Sequence, residues 1–502
     1  MKKMNKIFLT LLLLVSVFAS FASPVGAEAS AEENLMNVTL HKRHKVKTDS
    51  NKNTGEEMLD FGGVALEGAG FTAYDVTAKF NELMKNSDEV TAMKAIQDLY
   101  TPSVPTGAVE VGVEVLTDKD GVAVFPNLGI ADAEGNYKVY IFVETTTPTT
   151  VSVTEKSVPL VLALPIYKMN AADGTYTDEL NRDVHLYPKN VTAEDEKLFM
   201  NPKEFTSVDV DGKLVFNVTT GSVLDFNVNL IVPIDIADKE EYSLSDNPTV
   251  GLAYQTGTIK IGNLVLGEDY TVEEDLVGGF KIVFNVESTK LHAYAGKTLT
   301  VEYQMMLTAE VTPDSIYENK AHVSVDRTPR PDMKTKVKTD PEDPEYPPVF
   351  STNGHKFVKE DAKTGDALAG AEFILGNKKG EFAQFATDKN SKGEYVFVKW
   401  GTKDEAAKLV SDSDGEIKVI GLTKDNYILN ETKAPSDKYV QIKGDIEFTV
   451  VDGYATTEFQ SILNHPKGLL PSTGGSGIYA YLVIGTLMMF GSVIWFKRSN
   501  QA

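Results

Sequence analysis

The 502-residue chain contains no cysteine. Disulfide frameworks, thiolate metal sites and cysteine nucleophiles are therefore excluded, although a protein built for export would ordinarily draw on the first of these. Tryptophan occurs twice, and the seven histidines are scattered, with no Ser-His-Asp spacing among them. Basic residues are also short: 49 Lys and Arg stand against 72 Asp and Glu, a formal charge of −23. That excess argues against a nucleic-acid partner and for a soluble, self-repelling surface. Helical periodicity is scarce. One convincing stretch runs from Ala78 to Tyr100, where Phe80, Leu83, Met84, Val90, Met93, Ile96 and Leu99 recur at helical spacing.

Long apolar runs are confined to the two ends. Lys2, Lys3 and Lys6 precede the run Ile7 to Phe18, and Val25-Gly26-Ala27 supplies small residues for cleavage. Residues 1–27 read as a secretory signal, too short for a mature membrane span. At the other end, Leu470-Pro471-Ser472-Thr473-Gly474 is followed by the apolar run Ile478 to Phe496 and then by Lys497-Arg498. Nineteen apolar residues suit a helix crossing a bilayer, and the basic pair holds its cytoplasmic end. The expected mature chain, Glu28 to Thr473, has 446 residues and a formal charge of −28.

What fills the space between is β-rich. Valine, threonine and tyrosine runs alternate with Asp-Gly, Gly-Asn and Gly-Lys turns at short spacing, the pattern of all-β sandwiches. Two segments repeat each other. Leu66-Glu67-Gly68-Ala69-Gly70-Phe71 matches Leu368-Ala369-Gly370-Ala371-Glu372-Phe373, and Asp120-Gly121 through Phe125 matches Asp414-Gly415 through Val419. Tyr140 to Thr145 then matches Tyr427 to Thr432. The expected organisation is a first domain at 28–190 with the helical stretch as an insertion, and a different sandwich at 191–338. A stiff, charged linker at 339–349 leads into a second copy of the first domain type at 350–466, and a C-terminal segment fills 467–502 with its helix at 478–496.

The C-terminal order of pentapeptide, apolar run and basic stop resembles the sorting signal of Gram-positive surface proteins. In that family a sortase cuts between Thr and Gly and transfers the Thr carbonyl to an amine. Tyr427-x-Leu429-x-Glu431-Thr432-x-Ala434-Pro435 resembles the E-box of CnaB-type immunoglobulin-like domains, and the middle unit resembles a CnaA-type domain. Taken together, the chain resembles a sortase-assembled backbone pilin. The resemblance implies tandem all-β immunoglobulin-like sandwiches (CnaB-type, CnaA-type, CnaB-type), a polymer attached to the cell wall, and no turnover enzyme. It also implies partners: a pilus-specific class C sortase, a housekeeping sortase with a peptidoglycan precursor, other copies of the chain, and ancillary pilins. A host surface or matrix protein is an open further partner.

Val184-His185-Leu186-Tyr187-Pro188-Lys189-Asn190 contains Tyr-Pro-Lys-Asn, which resembles the pilin motif. As a strand it places Val184, Leu186, Pro188 and Asn190 on one face and His185, Tyr187 and Lys189 on the other. The apolar set points inward, so Lys189 points outward, and Pro188 indicates an edge position. By resemblance, Lys189 of one subunit is joined to Thr473 of another.

The family substitutes for disulfides with Lys–Asn isopeptide bonds between the first and last strands of a domain, assisted by a carboxyl group. Burial favours the neutral amine and the neutral acid; the amine attacks the Asn carboxamide carbon, and ammonia leaves. In the first domain Val38, Leu40 and Lys42 share a face, which gives Lys42–Asn190 with Glu144. There Pro148 keeps the E-box spacing, while Thr147 stands where the family has Ala. In the last domain His355-Lys356-Phe357-Val358-Lys359 opens the unit and Asn464 ends it, which gives Lys356–Asn464 with Glu431. In the middle, Tyr242 to Asp246 resembles the acid-bearing stretch, and Asn319 shares a face with Ala321, Val323 and Val325. Lys197 fits there as the nucleophile on Asn319, with Lys203 as runner-up and Asp246 as the acid.

The alternatives are a monomeric wall-anchored adhesin, which needs no acceptor lysine, and a basal or ancillary pilin. Asp209-Val210-Asp211-Gly212 and Asp412-Ser413-Asp414-Gly415 lack the remaining ligands of a calcium loop and read as hairpin turns. No metal and no cofactor are expected.

Overall fold

A computed structural model describes residues 34–45, 52–101, 103–170, 173–275, 277–337, 347–468 and 477–499. The leader, most of the linker and Leu470 to Gly474 lie outside the described residues. The chain divides into two compact units, 1–193 and 194–502.

In the first unit, β1 (Leu35–His41) alternates, burying Met36, Val38 and Leu40. After Lys42 the chain continues as β2 (Arg43–Lys45) in a different sheet. Past the short strand Val64–Ala65, β3 (Gly70–Asp75) leads into α1 (Thr77–Leu83) and α2 (Glu89–Tyr100). The single helical stretch read from periodicity is thus two helices. Asp88 breaks it, its carboxylate accepting from Thr91 N–H as an N-cap. Phe80, Ile96 and Tyr100 face inward, whereas Val90 and Leu99 are exposed.

Further strands include β4 (Val122–Gly129), β5 (Val139–Thr146), β6 (Ser152–Glu155), β7 (Leu160–Ala163), β8 (Asp183–Leu186) and β9 (Lys189–Ala193). One sheet has the order β8-β1-β4, another contains β7-β5-β3, and a third contains β2-β9-β6. Strand β5 is buried from Val139 to Glu144 on both faces. Phe142 packs with Val38, Leu40 and Phe125 on one side, while Ile141 packs with the helices on the other. A strand covered twice reads as a continuous apolar run.

The second unit holds two sandwiches. In the middle one, β10 (Glu196–Phe199), β11 (Val223–Ile231) and β14 (Thr298–Leu307) belong to one sheet with β16 (Thr335–Val337). The facing sheet contains β12 (Tyr242–Pro248), β13 (Phe280–Phe284) and β15 (Asn319–Val325). The aromatic core between them includes Phe199, Phe226, Tyr242, Phe280, Tyr303 and Phe350. Phe350 comes from Pro348–Ser351, which pairs in parallel with Lys213–Asn217 of this domain. The Asp209 and Asp412 motifs are turns: Asp211 and Gly212 have positive φ, and Asp412 accepts from the backbone N–H of Asp414 and Glu416.

The last sandwich is built from β17 (Asn353–Asp361), β18 (Glu372–Asn377), β19 (Glu416–Leu422), β20 (Asn426–Lys433) and β21 (Gln460–Asn464), with β17 lying between β19 and β21. It joins the middle domain tightly. Val396 and Ile420 enter the middle core, and Asn353 donates to Asp314 at 2.6 Å. Finally, α3 (Gly477–Ser499) is a 23-residue helix with exposed apolar side chains. Among the described residues, no helix is long and apolar enough to cross a membrane. The spanning role expected of Ile478 to Phe496 therefore rests on the sequence.

Candidate functional site

Among the described residues three buried lysines, one per sandwich, lie in the same core as a buried carboxyl group and a buried asparagine. In the first domain the chain passes from β1 to β2 at Lys42, whose side chain is fully buried. Its Nζ donates to Glu144 Oε2 at 2.7 Å and to Asn190 Oδ1 at 2.6 Å. Asn190 Nδ2 donates to Glu144 Oε1 at 2.8 Å, closing a triangle. Ser157, unnoticed in the sequence, covers it. Its N–H donates to Asn190 Oδ1 at 2.7 Å, and its hydroxyl donates to Glu144 Oε2 at 3.0 Å. Burial lowers the Lys42 pKa to about 8 against the opposing pull of Glu144. Lys42, Glu144 and Asn190 therefore come together as the sequence reading expected.

In the middle domain Lys197 Nζ donates to Asp246 Oδ2 at 2.6 Å, both side chains being fully buried. Burial holds the lysine below its usual range, partly offset by Asp246. Pro248 on β12 lies opposite Asn319 on β15, so Asp246 sits two residues along from the asparagine's partner. Lys203 is exposed and takes no part. Asp246 Oδ1 and Asn319 Oδ1 are buried acceptors with no donor among the described residues.

The last domain corrects the expected lysine. On β17 the inward residues are Phe357, Lys359 and Asp361, so Lys356 falls on the opposite face. Its Nζ lies over the rings of Phe459 and Tyr454, away from Glu431 and Asn464. Strand parity decides this: 356 and 359 differ by an odd number, and only one of them faces the core. Lys359 is fully buried, and burial lowers its pKa to about 8 against the pull of Glu431. Its Nζ donates to the Ile462 carbonyl at 2.6 Å, while Asn464 Nδ2 donates to Glu431 Oε2 at 3.3 Å and to the Val440 carbonyl at 2.5 Å. Glu431 Oε1 and Asn464 Oδ1 are again buried without a donor.

Such an arrangement has a definite chemical capacity. A lysine driven toward the neutral amine is a nucleophile, and a carboxyl group beside the carboxamide polarises it and carries protons. Among the described residues no group of His, Asp and Glu is placed to hold a metal ion.

Comparison with known proteins places the chain. Residues 33–191 match the family described as Gram-positive pilin subunit D1, N-terminal domain. The chain belongs to the Gram-positive pilins. Residues 353–462 of this pilin match a prealbumin-like fold domain, and 463–501 match the LPXTG cell wall anchor motif. It is 27% identical over 507 residues to fimbrial subunit type 2 of Actinomyces naeslundii, covering 92% of this chain and 89% of that one. Among solved structures, the full-length RrgB pilus protein of Streptococcus pneumoniae aligns with a TM-score of 0.48 and 17% identity, covering 88% of this chain and 99% of that one. The major pilin SpaD of Corynebacterium diphtheriae aligns with a TM-score of 0.42 and 20% identity, over 87% and 98%. The pilin is a structural subunit of a surface pilus attached to the cell wall.

One further lysine of the pilin matters. Lys189 begins β9 and is half-buried, with Nζ 4.7 Å from the centroid of the Phe61 ring. That partial burial holds its pKa below the usual lysine range. The edge position inferred from Pro188 does not hold for the strand, because β9 lies between β2 and β6. At Lys189 itself the pairing is with Arg43, and β6 joins only from Val191 onward. Tyr187, expected to face outward, is buried because it stacks between His41 and Phe61. Thr473, the expected reaction partner of Lys189, lies outside the described residues.

Proposed function

We propose that the protein is the repeating shaft subunit of the pilus, joined to its neighbours by an amide between Lys189 of one copy and Thr473 of the next. A class C sortase thiolate would attack the Thr473 carbonyl and form a thioester, the Thr473–Gly474 amide breaking and the Gly474 amine leaving with a proton. The neutral amine of Lys189 attacks that carbonyl, the C–N bond forms, the C–S bond breaks, and the sortase thiolate leaves. A housekeeping sortase would transfer the finished polymer to a peptidoglycan precursor. Supporting this are the Tyr-Pro-Lys-Asn motif, the match to an N-terminal pilin domain that ends just past it, and the partial burial of Lys189 against Phe61.

Within each subunit the reading assigns three isopeptide bonds: Lys42–Asn190 with Glu144, Lys197–Asn319 with Asp246, and Lys359–Asn464 with Glu431. The observation that carries this is Lys42 Nζ at 2.6 Å from Asn190 Oδ1 and 2.7 Å from Glu144, all of it buried. Each bond would close a loop of more than 100 residues, and the chain-entropy relation for disulfides gives about 5 kcal/mol per closure of that size.

Two measurements test the reading. Peptide mapping by mass spectrometry should find each lysine peptide joined to its asparagine peptide, lighter by one ammonia; separate peptides at full mass would refute the cross-links. Cells carrying Lys189→Ala should lose the ladder of high-mass species on denaturing gels, whereas a persistent ladder would refute the acceptor.

A further inference from the structure

We propose that Tyr303 is a catalytic residue of the middle-domain cross-link, relaying a proton between Asp246 and the leaving nitrogen of Asn319. The inference rests on the reading of Lys197, Asp246 and Asn319 given above. Tyr303 lies on β14 with its side chain buried in the core. Its hydroxyl donates to Asp246 Oδ2 at 2.5 Å and accepts from Asn319 Nδ2 at 3.3 Å. Lys197 Nζ donates to the same Oδ2 at 2.6 Å and lies 5.8 Å from the Tyr303 ring centroid. The tyrosine is thus bonded to the acid, to the nitrogen that must depart, and it walls the amine.

The other two domains show what this hydroxyl replaces. In the first, the carboxylate itself receives the leaving nitrogen: Asn190 Nδ2 donates to Glu144 Oε1 at 2.8 Å. In the last, Asn464 Nδ2 donates to Glu431 Oε2 at 3.3 Å. In the middle, the acid is aspartate, one methylene shorter, and Asn319 Nδ2 meets the Tyr303 hydroxyl instead. Asp246 and Tyr303 together span what a glutamate spans alone. A tyrosine present only to fill the core would need one hydrogen-bond partner for its hydroxyl; this one has two, and both are members of the reacting set.

The proton account balances. The neutral amine of Lys197 attacks Cγ of Asn319 and forms a C–N bond. The adduct nitrogen gives up a proton to Asp246. In the tetrahedral adduct Nδ2 gains a lone pair that a planar amide lacks, so its bond to Tyr303 reverses. Tyr303 passes its proton to Nδ2 and recovers one from Asp246. The Cγ–Nδ2 bond then breaks, and ammonia leaves. Amine and carboxamide go in, amide and ammonia come out, and no co-reactant is needed. Burial, reinforced by Asp246, raises the Tyr303 pKa well above its ordinary value, so the hydroxyl holds a proton before and after the relay.

The test is a time course on the full chain, made by cell-free synthesis and quenched at intervals, with all three cross-linked peptide pairs followed by mass spectrometry. Tyr303→Phe keeps the ring and removes one oxygen. We expect the Lys197–Asn319 pair to form at least about a hundredfold more slowly, the low end for loss of a general acid. The Lys42 and Lys359 pairs should keep their rates as internal controls. Adding Asp246→Glu to Tyr303→Phe should restore part of the lost rate, because the longer carboxyl reaches Nδ2 directly. Formation at the wild-type rate in Tyr303→Phe overturns the proposal. So does a slow variant that the glutamate fails to rescue, which would mark Tyr303 as packing alone. A wild-type chain that never forms the middle pair, while forming the other two, instead overturns the cross-link reading on which the proposal stands.

Discussion

In the first domain the N–H of Lys42 donates to the Gly121 carbonyl at 2.6 Å; in the last, the N–H of Lys359 donates to the Gly415 carbonyl at 2.8 Å. Leu66 N–H returns to the Lys42 carbonyl, and Leu368 N–H returns to that of Lys359. Thr117 Oγ bridges Leu66 and Ala69 as Ser411 Oγ bridges Leu368 and Ala371. Asn190 lies opposite His44 and Asn464 opposite Asp361, in each case two residues beyond the lysine on a parallel strand. The backbone frames are the same, but the side chains are not. Lys42 already touches both Glu144 and Asn190, whereas Lys359 is turned to the Ile462 carbonyl. The frame is therefore shared, and the two sites differ in how the lysine side chain is turned.

The strongest way to break this equivalence is to remove the lysines. Lys359→Ala should abolish the last cross-link and leave that peptide pair at full mass. Reopening the 105-residue span to Asn464 should lower unfolding stability by up to about 5 kcal/mol. Lys356→Ala should leave the bond intact, because its side chain faces the other way. A cross-link that survives Lys359→Ala and vanishes in Lys356→Ala would overturn the frame.

A subtler variant attacks the frame without touching the reacting groups. Gly121 and Gly415 both have positive φ, and a Cβ on either would meet the carbonyl oxygen of its lysine at 2.5 Å. Gly415→Ala should cost about 1–3 kcal/mol and slow closure of the last domain alone, read by melting and by peptide mapping. Gly121→Ala should do the same in the first domain. Acidity sharpens the comparison further. With both lysines lowered to about 8, about a tenth of each is neutral amine at pH 7, rising to nearly all by pH 9. Bond formation in newly made chain should therefore accelerate as pH rises through about 8 and then level off. A rate that fell across that window would show that the amine is not what limits the reaction.

Much of this is legible from residues alone, and the failures are instructive. Alternation brings Lys42 and Asn190 inward because the buried parity of Val38 and Leu40 carries past the end of β1 to Lys42, and β9 buries Asn190 and Thr192 on one face. It fails at Lys356 because the choice starts from the opening of the strand rather than from its inward face. The repeat already holds the answer: the Asp-Gly turn that matches Gly121 to Gly415 marks the two glycines that touch the lysine carbonyls. The Ala78 to Tyr100 stretch reads as one helix because its apolar spacing nearly survives the break at Asp88. Tyr303 and Ser157 carry no sequence signal, since each reaches its site from a strand or loop distant along the chain. The depth of Tyr187 is hidden likewise, because its neighbour Phe61 comes from a separate loop.

Ser157 supplies the smallest and most selective test. Its hydroxyl and N–H are the two donors that hold Glu144 and Asn190 from above, and neither the middle nor the last domain has a serine in the same contact among the described residues. Ser157→Ala removes only the hydroxyl bond at 3.0 Å to Glu144 Oε2 and keeps the backbone donor. The loss should be about 1 kcal/mol in a first domain prevented from closing by Asn190→Ala, as for one buried hydrogen bond. In the closable chain it should slow Lys42–Asn190 formation modestly and leave the Lys359–Asn464 rate unchanged. An equal slowing in both domains would mean that Ser157 acts on the fold at large rather than on Glu144, and the first site would then differ from the last only in the rotation of its lysine.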